Sequence, residues 1–135
     1  MSVEDFREEK RPIAKFGFAA QTFPATLTTA RAPTIPNVNG TIVAMDIVTT
    51  DTEDGITYTV TITNGNGATI FTEAALADNS SHWRDARSQK GTPDADFNEA
   101  PVAGTLTATI TPSNKPDAAA VGAKTATVTV TLYVE

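Results

Sequence analysis

The 135-residue chain is 40% hydrophobic, 19% charged and 7% aromatic, with a net charge of −6, no cysteine and one histidine. That length suits one domain of ordinary size. Zero cysteine excludes a disulfide scaffold, a thiolate nucleophile and zinc–thiolate ligation, and a lone histidine argues against multi-histidine metal sites and histidine-based catalysis.

No apolar run approaches the roughly 20 residues that a membrane-spanning helix needs. The opening segment MSVEDFREEKRP is charged and lacks an apolar signal core, so export by a signal peptide is not expected. Residues 1–36 hold five basic and four acidic residues, a net +1; residues 37–135 hold five basic and twelve acidic, a net −7. An acidic body repels phosphate backbones and anionic lipid, so neither nucleic acid nor membrane is an expected partner.

Residues 1–36 read as an extended N-terminal arm. Segment 2–11 suits a short helix capped by Ser2. Then come Ile13, Phe16, Phe18, Phe23 and Leu27, punctuated by Pro24, Pro33 and Pro36, which interrupt helices and sheet ladders. Four of the six phenylalanines lie here, whereas a disordered linker would be poor in aromatics. Either the arm packs on its own domain or it lies on a partner or a neighbouring copy. The second reading makes Ile13, Phe16, Phe18, Phe23 and Leu27 partner-binding anchors. Removing residues 1–36 would then leave a folded body that no longer binds.

From Gly40 onward the chain alternates with period two, the mark of half-buried strands. Thr41–Val48 is one predicted strand and DTEDG at 51–55 a turn. ITYTVTIT at 56–63 puts Ile56, Tyr58, Val60 and Ile62 on one face and four threonines on the other. Asn64-Gly65-Asn66-Gly67 is a hairpin signal, because Asn and Gly tolerate positive φ. Ala68–Thr72 returns. Residues 73–103 break the alternation and read as a long loop, with one helical turn at Glu73–Ala77. Gly104–Thr111 and Lys124–Val134 are further strands, the last expected to be central. The prediction is an all-β protein: an antiparallel β-sandwich of jelly-roll or Greek-key (Ig-like) type over 37–135. Threonine, at 24 residues, suits strands whose outer faces are wet or docked.

Candidate chemistry is sparse. The sole histidine sits in Ser80-Ser81-His82-Trp83-Arg84-Asp85, where sequence neighbours do not supply triad geometry. His82, Trp83, Arg84 and Arg87 read instead as loop anchors or inter-subunit contacts, since Trp and Arg are enriched at interface hot spots. Asp94-Ala95-Asp96-Phe97-Asn98-Glu99 begins like a calcium loop, but the required glycine position holds Glu99 and the twelfth position falls on Thr105. Asp51, Glu53 and Asp54 form a second, weaker acidic turn. No metal, cofactor or enzymatic activity is expected.

The stretch GITYTVTITNGNGATIF at 55–71, with Gly104–Thr111 and the terminal TATVTVTLYVE, resembles small β-sandwich proteins encoded among the structural genes of tailed bacteriophages. In those, x-Y-x-V-x-I-x-D/N-x-x-G leads into x-V/I-L/F, and the chain finishes V-x-L-Y-V/I. The resemblance covers the C-terminal two-thirds and brings no catalytic residues. It implies a virion component: a capsid decoration (cement) protein or a head fibre. The expectation is a decoration protein that binds and stabilises the major capsid protein shell. It would be a homotrimer on the capsid exterior, made in the host cytoplasm. The alternative is a head-fibre or Ig-like adhesion module binding a host-surface glycan or protein, with Trp83, His82 and Arg84 stacking on and hydrogen-bonding the sugar.

Overall fold

Alternating apolar and threonine residues produce strands wherever they occur in the computed structural model, which describes residues 12–25, 27–52, 55–85, 100–116 and 125–135. In chain order the strands are β1 (Ala14–Gly17), β2 (Gln21–Phe23), β3 (Thr34–Thr49), β4 (Thr57–Thr63), β5 (Thr69–Ala77), β6 (Ser80–Asp85), β7 (Ala100–Pro112) and β8 (Ala126–Val134). All their pairings are antiparallel. No helix occurs among the described residues. The fold class is the all-β antiparallel one that the alternation predicts.

The strand order is β1-β8-β3-β7-β4-β5, with β2 also on β8 and β6 also on β3. Its interleaving requires crossovers, as in Greek-key folds, and not a simple meander. β3 is the shared strand. Its first half pairs with β7, and its second half pairs with β6 on one edge and β8 on the other. The sheet therefore folds over itself. One layer is β6-β3-β8 with β1 and β2; the other is β3-β7-β4-β5. Aromatic contact across the fold proves the closure: the rings of Phe23 on β2 and Tyr58 on β4 lie 5.8 Å apart, although their strands are far apart in sheet order.

Two β-bulges let β3 turn from one layer to the other. Its register shifts between Ile35 and Val38, where Asn37 has φ +58°, and again between Ile42 and Ala44. An extra residue bends a strand and steps its side-chain phase. Ile42, Val43, Ala44 and Met45 are consequently all buried in succession. At Gly40 (φ +140°) a Cβ would sit 2.6 Å from the Glu135 carbonyl oxygen. Only glycine permits that approach, which carries the paired backbone bonds between Thr41 and Glu135 at 2.9 and 2.8 Å.

The inward residues form one core: Phe18 and Phe23 with Val38, Ile42, Met45, Ile47, Tyr58, Val60, Ile62, Leu106, Ile110, Val128, Val130 and Leu132, among others. Burying each such side chain stabilises the fold by roughly 1.5–3 kcal/mol. The β4–β5 hairpin closes at Asn64–Gly67 as predicted. Asn64 Oδ1 accepts from the amides of Asn66 and Ala68, and Gly67 has φ +84°. Strand β8 is central, flanked by β3 on one side and β1 and β2 on the other.

Two expectations are corrected. The boundary at 36/37 falls inside β3, and residues 14–23 are strands of the body, not an arm separate from it. Their alternating apolar residues have a core to enter and an open edge of β8 to pair with, so they stay. The long loop at 73–103 is also replaced. Residues 73–77 complete β5 and 80–85 form β6, while 86–99 lie outside the described residues. Alternation breaks there because β5 carries a bulge: Ala75 has φ +61°, and Phe71 and Leu76, five residues apart, both point inward.

Candidate functional site

The expected anchors divide once the fold is known. Phe18 and Phe23 are buried in the chain's own core, and Phe16 packs half-buried against it. Arg31 lies over the Phe23 ring at 5.9 Å. Phe18 and Phe23 are therefore not partner anchors, because their own domain already takes them out of water, whereas Phe16 is only partly covered. Ile13 and Leu27 are exposed.

Strand alternation also separates the histidine–tryptophan–arginine group. Trp83 is opposite Asp46, on the outward phase of β6. His82 and Arg84 take the other phase, opposite the buried Ile47 and Met45. His82 Nε2 lies 2.9 Å from the Ala77 carbonyl oxygen. Arg84 donates from Nε and Nη2 to the two carboxylate oxygens of Glu73, at 2.7 and 2.6 Å. That fork ties β6 of one layer to β5 of the other and closes the open side of the sandwich. The three side chains do not converge on one ligand, and the expected glycan trio is corrected. Arg87, Glu53, Asp54 and the acidic stretch Asp94–Glu99 lie outside the described residues. Among the described residues no three metal-ligating side chains cluster.

What the fold does assemble is the outer face of the layer β6-β3-β8-β1. Its register sets out rows across the four strands. One row runs Lys15, Tyr133, Ala44, Asp85; the next runs Gly17, Thr131, Asp46, Trp83; a third runs Thr129, Val48, Ser81. The Trp83 and Tyr133 rings meet over β3 at 5.3 Å and 54°, within the range of favourable aromatic pairs. Beneath them Ala44 is buried. Trp83 itself remains 50% exposed and Val48 40%. Asp46 accepts a hydrogen bond from Ser81 at 3.1 Å. Ile13, just before β1, is exposed. Sequence reasoning found Trp83 but missed Tyr133 and Val48. Their signal was a large apolar side chain on the outward phase of a strand otherwise lined by threonine and polar residues.

The opposite outer face is different in kind. Thr59, Thr61 and Thr63 on β4 stand directly opposite Thr111, Thr109 and Thr107 on β7, and Thr61 and Thr63 also face Thr72 and Thr69 on β5. The Thr61 and Thr72 hydroxyls are 2.9 Å apart. Such cross-strand threonine pairs stabilise a sheet by a few tenths of a kcal/mol, up to about 1, while keeping its surface wettable.

Fold and faces together define a two-layer antiparallel β protein with two chemically distinct outer faces. No protein-family model and no curated protein matches the sequence. Among solved structures the chain is similar to one in the crystal structure of the T13 viral particle of infectious bursal disease virus. The identity is 13% and the TM-score 0.47, over 91% of this chain and 31% of that one. It is also similar to the VP2 subviral particle of the same virus, at 11% identity and TM-score 0.45, over 92% of this chain and 32% of the other. The chain thus spans about a third of the length of these solved chains.

Proposed function

We propose that the chain is a structural subunit of a virion, a decoration protein that binds the outside of a capsid shell and stabilises it. The observation that carries this reading is the placement of exposed apolar surface. Of the large apolar side chains exposed among the described residues, Ile13, Leu27, Val48 and Trp83, two, Val48 and Trp83, share one sheet face, where Trp83 pairs with Tyr133. Exposed apolar side chains around a Trp–Tyr pair suit a protein contact, in which aromatic anchors supply most of the energy. The resemblance of the strands to tailed-phage sandwich proteins points to the same class of role. The mechanism is burial of sheet faces between subunits, with each modest contact multiplied by the symmetry of the shell. The adhesion reading loses its proposed trio, since His82 and Arg84 face away from Trp83.

Co-sedimentation tests this. Purified full-length chain mixed with shells of the parent virus stripped of it should pellet with them, saturate, and raise the temperature at which the shells open. A chain that stays in the supernatant, or binds without stabilising, would overturn the reading.

A further inference from the structure

We infer that the tip of the β4–β5 hairpin is a site of covalent self-modification, where Asn64 closes on the backbone amide of Gly65, loses ammonia and becomes an aspartate or isoaspartate. This rests on the hairpin itself and does not depend on the capsid reading.

The reaction needs a backbone nitrogen free to shed its proton and attack the side-chain amide of the residue before it. A glycine in that place presents no side chain to obstruct the attack. The sequence holds three Asn-Gly pairs, Asn39-Gly40, Asn64-Gly65 and Asn66-Gly67. The fold treats them differently. Asn39 and Gly40 lie within β3, opposite Ala103 and Val102 of β7, and closing a ring there would twist both out of the ladder. In Asn66-Gly67 the Gly67 amide already donates to the Asn64 carbonyl oxygen at 2.9 Å. The Gly65 amide has no hydrogen-bond partner among the described residues, and Gly65 and Asn66 are exposed at the turn.

The group under attack is also prepared. Asn64 Oδ1 accepts from the Asn66 amide at 2.9 Å and from the Ala68 amide at 3.0 Å. Two backbone donors on one oxygen draw electron density from Cγ and stabilise the negative charge that develops on Oδ1, as an oxyanion hole does. The Gly65 nitrogen gives its proton to solvent and bonds to Cγ. The tetrahedral intermediate expels Nδ2, which leaves as ammonia, and a five-membered imide remains. Water then opens the imide. Cleavage of the new bond to Cγ gives aspartate, and cleavage of the original peptide bond gives isoaspartate. One water enters and one ammonia leaves, and the chain becomes one charge more negative than its present −6.

The two products fit the hairpin differently. Aspartate at 64 keeps an oxygen for both amides, and its charge strengthens those bonds. Isoaspartate routes the main chain through Cβ and lengthens the turn that fixes the register of β4 on β5.

Incubation of the purified full-length chain in neutral buffer, folded and in guanidinium chloride, tests the site. Peptide mass mapping locates the products, and isoelectric focusing follows the added charge. In the folded chain Asn64 should convert about tenfold or more faster than Asn39 or Asn66. In denaturant, where only the shared dipeptide remains, that preference should vanish. Gly65→Ala places a Cβ 3.6 Å from the Thr105 carbonyl oxygen, an ordinary contact at a position without positive φ, so the variant folds. It should slow the conversion of Asn64 about tenfold or more by obstructing the approach to Cγ. An Asn64 that stays intact in the folded chain, a faster Asn39 or Asn66, an equal preference in denaturant, or a Gly65→Ala chain that converts as fast as wild type would overturn the inference. Should Gly65→Ala fail to fold, the comparison of folded with denatured chain still decides.

Discussion

Phe23 on β2 packs against Tyr58 on β4 with ring centroids 5.8 Å apart, and the contact joins the two layers of the sandwich. A residue that looked from sequence like an outward-reaching anchor is a keystone of its own core. Phe23→Ala should cost about 3–5 kcal/mol in a urea titration, the usual loss for a fully buried phenylalanine. Deleting residues 12–25 should abolish cooperative unfolding and not merely binding, because it removes Phe18 and Phe23 and bares one edge of β8. A truncated chain that folds normally would return these residues to the status of an arm.

Tyr58 is 1% exposed, and its hydroxyl has no hydrogen-bond partner among the described residues. Burial, reinforced by the nearby Asp78 carboxylate, pushes its pKa up to about 12 from an ordinary value of 10.0. The folded state thus disfavours the phenolate that the unfolded chain forms. Its contribution is complete below pH 10.0 and is lost as pH rises through about 12. Tyr58→Phe removes an unsatisfied buried group, so stability at pH 7 should hold or rise by about 1 kcal/mol. The alkaline loss should also shrink. Chemical denaturation of both proteins from pH 8 to 12 checks the two effects together.

Thr52 and Asp78 hold the corner that leads from β5 to β6. Asp78 Oδ2 accepts from the Thr52 amide at 2.8 Å and from its hydroxyl, while Thr52 Oγ1 accepts from the Ile56 amide at 3.1 Å. Thr52 is buried, so Thr52→Val strands the buried Ile56 amide and takes one donor from the half-buried Asp78 carboxylate. A loss of about 1–3 kcal/mol is expected. Thr52→Ser keeps the hydroxyl and should recover most of it.

The Arg84–Glu73 fork links the layers at a partly exposed edge, with 21% and 32% of the two side chains open to water. A double-mutant cycle of Arg84→Ala and Glu73→Ala should give a coupling of about 1 kcal/mol, smaller in high salt. The cycle is needed because Arg84 makes other interactions that single substitutions would also remove.

Much of the body was legible because period-two alternation is enforced by a dry core. The Ile56–Ile62 phase of β4, the matching phase of β7, the central β8 and the Asn-Gly hairpin all form where their residues indicate. Alternation misled where a bulge shifted the phase. Ala75 turned β5 into an apparent helical turn, and the bulges of β3 hid its first seven residues. Phe16 and Phe18 were in strand phase all along, but prolines on either side made them look like part of a separate extended arm. For the face, Trp83 drew attention by its rarity. Tyr133 and Val48 did not, because only the pairing of β6, β3 and β8 brings them beside it.

Trp83 is the only tryptophan in the chain, so its emission reports on the face directly. Acrylamide quenching of that emission with and without shells is the most direct test that this face is covered on assembly. Trp83 should be open to quencher in the free chain and shielded in chain bound to shells. Equal quenching in the two would contradict the proposed role.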